Sequence, residues 1–372
     1  MKMLKKKILL FIVISILMPL SAFGGNISSK NPALKLMSYY AGEIKDARTI
    51  NPYIVNIIAI YEIGEGRHID EIKKYILWYF ANLNYPDKQE LTGSIYDFEV
   101  NVDGKEIPTN NYDSVDGYAG TFLYLLNLYH IKTSDKSLID TNWEKIKDIA
   151  YLIPHLQTED GLTKALPKSK DNAKYLMDNC EAYAGIKAFN ELSMRTGHGQ
   201  DSFYREVAAD IKNAVLETLY NSDQSNFYWA IDDKVKHASN WSSFYPDAFA
   251  QIFPIYFGLL NEDPKLRKAL WQEFGKRYDD KAKKFPLEQR LIYELTQKKM
   301  STEMQSQPSM EKAKPSEKAD QQYKGIKGIV LMNGNVIEGQ IISMTPDSVK
   351  IRTIEGEFSY DYNKEVQRFI AE

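Results

Sequence analysis

Five carboxylates stand in a repeating frame. Asp113, Asp116 and Tyr118-Ala119-Gly120 recur 65 residues later as Asp178, Glu181 and Tyr183-Ala184-Gly185, so D-x-x-[DE]-x-Y-A-G occurs twice. After another 66 residues, Asp247-Ala248-Phe249-Ala250 matches Glu181-Ala182-Tyr183-Ala184. Carboxyl groups of unequal pKa do general acid/base work: one keeps a proton to give, and the other is ionised to take one. The competing use is structural. An acid at a helix start, with a second one three residues on, resembles a capping box; the first bonds free N–H groups and the second sits well in the helix dipole. Capping is the stronger claim on Asp113 and Asp178, and the two uses compete evenly for Asp116, Glu181 and Asp247. A helix N-terminus also favours the charged form. Glu181 therefore needs burial, or a like charge such as Asp178, to hold a proton near neutral pH. The frame assigns Glu181 as acid and Asp116 as base, with Asp247 the substitute for either.

Other chemistries find less support. His68, His130, His155, His198 and His237 lack metal-ligand spacing. Cys180 has no histidine close in sequence and reads as a buried, inert thiol rather than a nucleophile. No phosphate-binding glycine loop is present. No metal and no cofactor is expected.

The frame implies the elements that position it. Asp113 to about Ile131, Asp178 to about Met194, and the runs starting at Tyr53 and Asp247 are apolar with helical period. Between them lie amphipathic stretches: His68–Leu83, Leu138–Leu156, Asp201–Tyr220 and Pro264–Arg277. A mostly apolar helix wants burial on all sides, and an amphipathic one wants a solvent face. Short strand-like pieces follow the first three amphipathic stretches at Ser94–Val100, Gly161–Leu166 and Asn226–Ile231. Outer helix, β excursion and inner helix, repeated at a fixed period, give two concentric layers. The expected fold is mainly α: an α/α toroid of about five to six helical hairpins over residues 25–300.

These helix openings, strand pieces and alternating layers resemble the six-hairpin glycosidase superfamily, which includes glycoside hydrolase family 8. The resemblance covers about residues 30–298 and implies a substrate cleft at the N-terminal ends of the inner helices. Asp113, Asp116, Asp178, Glu181 and Asp247 all fall there. Adjacent helix axes run about 8–10 Å apart, which suits the roughly 6.5–9.5 Å between carboxyls in inverting glycoside hydrolysis. Tyr96, Tyr112, Tyr118, Tyr175, Trp229, Trp241 and Tyr245 cluster in the β excursions and helix openings. Such rings cover apolar sugar faces or pack at the core edge. Asp113, Asp178, Tyr118, Tyr175, Trp241 and Tyr245 are the expected substrate contacts, with Trp241 and Tyr245 as platforms.

The chain ends read differently. Lys2, Lys5, Lys6 and Lys7 precede an apolar run, Ile8–Leu20, and then small residues. Residues 1–24 are expected to be a secretory signal, with a periplasmic or extracellular product and no membrane span after cleavage. Residues 301–323 are polar with two prolines and read as a flexible linker. Residues 324–372 switch to period 2, with turns at Asn333-Gly334 and Glu355-Gly356. Five short strands there look like a Sm-like or SH3-like barrel that localises or self-associates.

The 372 residues are 44% hydrophobic with 47 Lys+Arg against 50 Asp+Glu, which is globular and carries no basic surplus for nucleic acid. The sequence thus points to an exported protein that hydrolyses glycosidic bonds of a polysaccharide or oligosaccharide. A non-catalytic glycan-binding or assembly scaffold is the first alternative and a polysaccharide lyase the second. Scarcity of Arg at the helix openings disfavours the lyase.

Overall fold

The structure, a computed structural model, describes residues 31–44, 48–101, 103–168, 172–199, 201–306, 326–332, 336–344, 348–353, 356–361 and 366–371. The expected signal segment, residues 307–323 of the linker and the turn residues Asn333, Gly334 and Glu355 lie outside them. The chain divides into two compact units, Met1–Ser301 and Thr302–Glu372.

The first unit is helical: α1 (Pro32–Ser38), α2 (Pro52–Gly64), α3 (Ile69–Ala81), α4 (Val115–Thr133), α5 (Lys136–Thr141), α6 (Trp143–Leu156), α7 (Leu176–Thr196), α8 (Ser202–Ala214), α9 (Phe253–Tyr256), α10 (Pro264–Tyr278) and α11 (Leu287–Ser306). The sequence pattern explains the layers. In α4 and α7 nearly every residue through the first three turns is buried, polar ones included. In α3, α6 and α8 burial follows one face only. The inner series runs α2, α4, α7 and then a π-helical turn, Phe244–Ala248, leading into α9. The fifth inner helix, α11, joins the two ends of that series. Its Lys298 pairs with Glu65 after α2, and its Lys299 Nζ bonds the Tyr256 carbonyl of α9 at 3.1 Å. With α1, α3, α6, α8 and α10 outside, the described residues make five hairpins. Among the described residues no helix is long and apolar enough to cross a membrane.

One crossing is far tighter than the rest. A Cβ on Gly185 would lie 2.4 Å from Gly120 Cα, and a Cβ on Gly120 would lie 2.5 Å from the Glu181 carbonyl oxygen. The glycines of the repeated Tyr-Ala-Gly therefore let α4 and α7 touch backbone to backbone. The frame equivalent of Gly185 in the fourth inner segment is Gln251, which is fully buried. Its carboxamide instead clamps the β excursion, accepting from Phe227 N at 2.8 Å and donating to Phe227 O at 3.0 Å.

α11 continues to Ser306, into the segment read as a linker, because no proline interrupts it before Pro308. The second unit holds two three-stranded antiparallel sheets. One orders 336–338, 326–331, 366–371; the other orders 340–344, 348–353, 356–361. Gly339 separates the halves of one bent strand that serves both sheets. Its N–H bonds Lys327 O at 2.9 Å, and a Cβ there would lie 2.3 Å from Arg352 O. Ile329, Ile341, Val349, Ile351 and Val366 form the small core.

Candidate active site

The tight crossing brings the acids of α4 and α7 together. With Gly120 against the Glu181 backbone, the first turns of the two helices face each other, and their side chains share one space. From the point where a Cβ on Gly117 would stand, Ser114 Oγ lies at 2.5 Å, Glu181 Oε2 at 3.0 Å and Asp178 Oδ1 at 3.9 Å. A side chain at 117 would collide with these oxygens, so glycine there lets them approach α4.

Neither Asp113 nor Asp178 caps its helix. Ser114 and Tyr175 hold the N-cap positions, and neither makes a side-chain capping bond. Asp116 is fully buried and its oxygens are engaged. Oδ2 accepts from Thr163 Oγ1 at 2.6 Å, and Oδ1 accepts from Gly117 N at 3.0 Å. Thr163 is delivered by a second amide clamp. Asn179 Oδ1 accepts from Thr163 N at 2.8 Å, and Asn179 Nδ2 donates to Thr163 O at 3.1 Å. Glu181, 1% exposed, receives the Tyr53 hydroxyl on Oε1 at 2.8 Å. Asp178 is partly exposed, and Asp113 is exposed.

Burial and mutual charge set the protonation. Burial pushes Asp116 up to about 7, against the bonds from Thr163 and Gly117 that favour its charge. Burial raises Asp178 well above the usual carboxylate range, and the charges of Asp116, Glu181 and Asp113 add to it. Glu181 is raised well above that range by burial and by Asp116, with the Tyr53 bond opposing. Burial raises Asp113 too, although the residue reaches solvent. Asp97 joins from the first β excursion, pushed by burial to about 6 while it accepts the Tyr118 hydroxyl at 2.9 Å.

The remaining expected residues divide between this site and its surroundings. Tyr118 is 3% exposed, and its hydroxyl is held by Asn51 Nδ2 at 2.8 Å as well as by Asp97, so it braces the wall. Tyr245 is 55% exposed, and its hydroxyl is raised by burial and then by Asp178, Asp113, Glu288 and Glu181. It therefore lies within electrostatic reach of these acids and of Glu288, at the start of α11. Tyr175 stacks on Trp229 with ring centres 6.4 Å apart. Trp241 is partly buried, and its carbonyl accepts the Tyr278 hydroxyl at 2.7 Å. Asp247 lies in the turn Phe244–Ala248 that leads into α9. Its Oδ1 accepts from Asn240 N at 3.3 Å and so braces the loop before it.

Tyr53, Asp97, Thr163, Asn179 and Ser114 were not singled out as site residues from the sequence. Tyr53 alone carried a signal, as the frame equivalent of Tyr118. Among the described residues no group of three or more His, Cys, Asp or Glu could hold a metal ion.

A scan against protein-family models and a search of curated proteins return no match. Solved structures are similar in fold. A GH78 family rhamnosidase of Bacillus sp. GL1 is 11% identical, with TM-score 0.40, over 54% of this chain and 22% of that one. A rhamnosidase from Klebsiella oxytoca with rhamnose bound is 10% identical, with TM-score 0.48, over 74% and 54%. A GH63 mannosylglycerate hydrolase from Thermus thermophilus in complex with glucose is 11% identical, with TM-score 0.47, over 68% and 77%. The chain thus spans less than two thirds of either rhamnosidase. These are likenesses of helical architecture alone.

Proposed function

We propose that the helical unit hydrolyses glycosidic bonds by carboxylate acid/base catalysis. One observation carries this: Asp178 joins a strongly proton-holding environment to an opening on solvent. A general acid needs both, since it must keep its proton at neutral pH and reach the leaving oxygen. Asp178 is the proton donor. Asp113, exposed and raised less, is the base that activates water. Asp116 and Glu181 stand behind them, too buried to reach a glycosidic oxygen; burial holds the proton on Asp178, and any negative charge on Asp116 or Glu181 holds it further. The acid and base roles that the sequence frame gave to Glu181 and Asp116 move by one helical turn for that reason. Tyr245 supplies the exposed ring. A lyase reading fares worse, because Arg, which would neutralise a uronate, is scarce at the helix openings.

The N-terminal pattern supports an exported setting, and the proposed role of the second unit is self-association or holding a protein partner. Reducing-end release from a panel of β-glucans, xylan, chitosan and bacterial exopolysaccharides tests the function. Release by wild type, lost in Asp178→Asn and Asp113→Asn with circular dichroism unchanged, supports it. No release from any glycan, with glycan binding retained, replaces it with a binding scaffold.

A further inference from the structure

Positive charge is concentrated in one hairpin. Residues 264–284, which hold α10 and a 3-10 helical turn, Asp279–Lys284, carry eight Lys+Arg against three Asp+Glu, in a chain whose net charge is −3. Part of that surplus is neutralised locally. Glu273 pairs with Lys276 at 3.2 Å and with Arg277 at 2.7 Å. Asp279 turns toward α11, where its Oδ1 accepts the Tyr293 hydroxyl at 3.0 Å. Lys281, Lys283 and Lys284 are exposed, and none of them makes an ion pair among the described residues. Side chains three apart eclipse on a 3-10 turn. Ala282 and Phe285 are accordingly both buried, and Lys281 and Lys284 share the solvent face.

This turn stands at the site end of the hairpin. It joins the end of outer helix α10 to the start of inner helix α11, where Glu288 acts on Tyr245 as Asp178 and Asp113 do. It also packs against the loop that carries Trp241 and Tyr245. Phe285 stacks on Phe244, the neighbour of Tyr245, with ring centres 4.3 Å apart. Tyr278 lies 5.3 Å from the Phe244 ring and donates its hydroxyl to Trp241 O at 2.7 Å. Lys281 Nζ lies 5.2 Å from the centre of the Tyr278 ring. Cations thus continue the surface that begins at the rings beside the acids.

We propose that the glycan bound here is anionic, with a carboxylate or sulfate group held by Lys281 and Lys284 beyond the Trp241–Tyr245 loop. This rests on the hydrolase reading above. An anionic group on the sugar at the acids would meet like charge, and one displaced past the rings meets Lys281 and Lys284 instead. Lysine suits the contact, because its ammonium is a mobile point charge with three donors for an acceptor-only anion.

The test uses the full chain with oligogalacturonate, its methyl-esterified counterpart and a sulfated glucan of the same length. Isothermal titration calorimetry at low and at high salt reads the affinities. At low salt the oligogalacturonate is expected to bind about tenfold tighter than its ester, as two exposed ion pairs allow, and the gap should close at high salt. Tighter binding of the sulfated glucan assigns the anion as sulfate, and tighter binding of the oligogalacturonate assigns it as carboxylate. Lys281→Ala with Lys284→Ala should remove the preference. Lys265→Ala with Lys268→Ala takes the same charge from exposed positions at the opposite end of α10 and should keep it. Equal affinity for the ester and both anions, or equal loss in the two double variants, overturns the assignment. Binding to phosphatidylglycerol vesicles that the first double variant loses, with no preference among the glycans, also overturns it and marks a membrane contact. Cleavage of any glycan in these cases leaves the hydrolase reading standing, and no cleavage across the wider panel overturns that reading alone.

Discussion

Replacing Gly185 with alanine tests what positions the acids. The added Cβ would meet Gly120 Cα at 2.4 Å and Gly120 O at 2.5 Å, where carbon contacts normally settle near 3.5–4.0 Å. Both obstacles are backbone, so no side chain can swing aside. The helices must separate by roughly 1 Å or more, an overpacking that costs about 1–3 kcal/mol. Helix propensity works the other way, favouring alanine over glycine by about 1 kcal/mol in a helix interior. Gly64→Ala isolates that second effect, because its Cβ would find only Leu295 Cδ2 at 3.8 Å. Urea unfolding followed by circular dichroism should show Gly64→Ala at or above the wild-type midpoint. With a slope of about 2–3 kcal/mol/M, Gly185→Ala should unfold about 0.3–1.5 M earlier than Gly64→Ala. Gly120→Ala should behave alike, and the double variant should lose less than the sum, since both strain one contact. Gly185→Ala as stable as Gly64→Ala would refute the reasoning, because the crossing would then be free to relax.

The raised carboxyls fix a pH dependence. Asp116 at about 7 and Asp97 at about 6 bind protons more tightly folded than unfolded, where the value is about 3.9. Their favourable contribution is complete below that unfolded value and is lost as pH rises through the folded one. The urea midpoint of wild type should therefore fall between pH 4 and pH 7, and fall less in Asp116→Asn; a midpoint that rises over this range contradicts the assignment. Thr163→Val removes the donor to a fully buried carboxylate oxygen and should destabilise by about 1–3 kcal/mol, measured by the same unfolding curve. Tyr53→Phe deletes the bond that lowers the Glu181 pKa, so Glu181 keeps its proton to higher pH and its charge raises Asp178 less; the alkaline limb of any pH–rate profile, which reports Asp178, should move to lower pH, and a limb that moves to higher pH contradicts the assignment. Tyr245→Ala should leave the melting temperature unchanged and weaken glycan binding, since the ring is mostly exposed.

The frame of 65 residues was legible because α4 and α7 repeat both their buried acids and their glycines. It showed which helices are inner and where their acids start. It did not show why Gly120 and Gly185 recur, since two glycines that touch across a crossing look in sequence like ordinary helix residues. The match of the fourth segment ends one residue before Gln251, whose carboxamide clamps Phe227 where α4 and α7 carry glycine. Tyr53, Thr163 and Asp97 come from three other elements, at no fixed spacing from the acids they touch. Their roles follow from hydroxyl positions that only the packed chain creates.

The most direct measurement is the time course of glycosidic bond cleavage by nuclear magnetic resonance, run side by side on wild type and Asp178→Asn with the β-glucan, xylan, chitosan and exopolysaccharide panel. The account predicts steady appearance of new reducing ends with wild type and a loss of at least about a hundredfold, of the size general acid catalysis supplies, in the variant. Equal rates in the two proteins would contradict it.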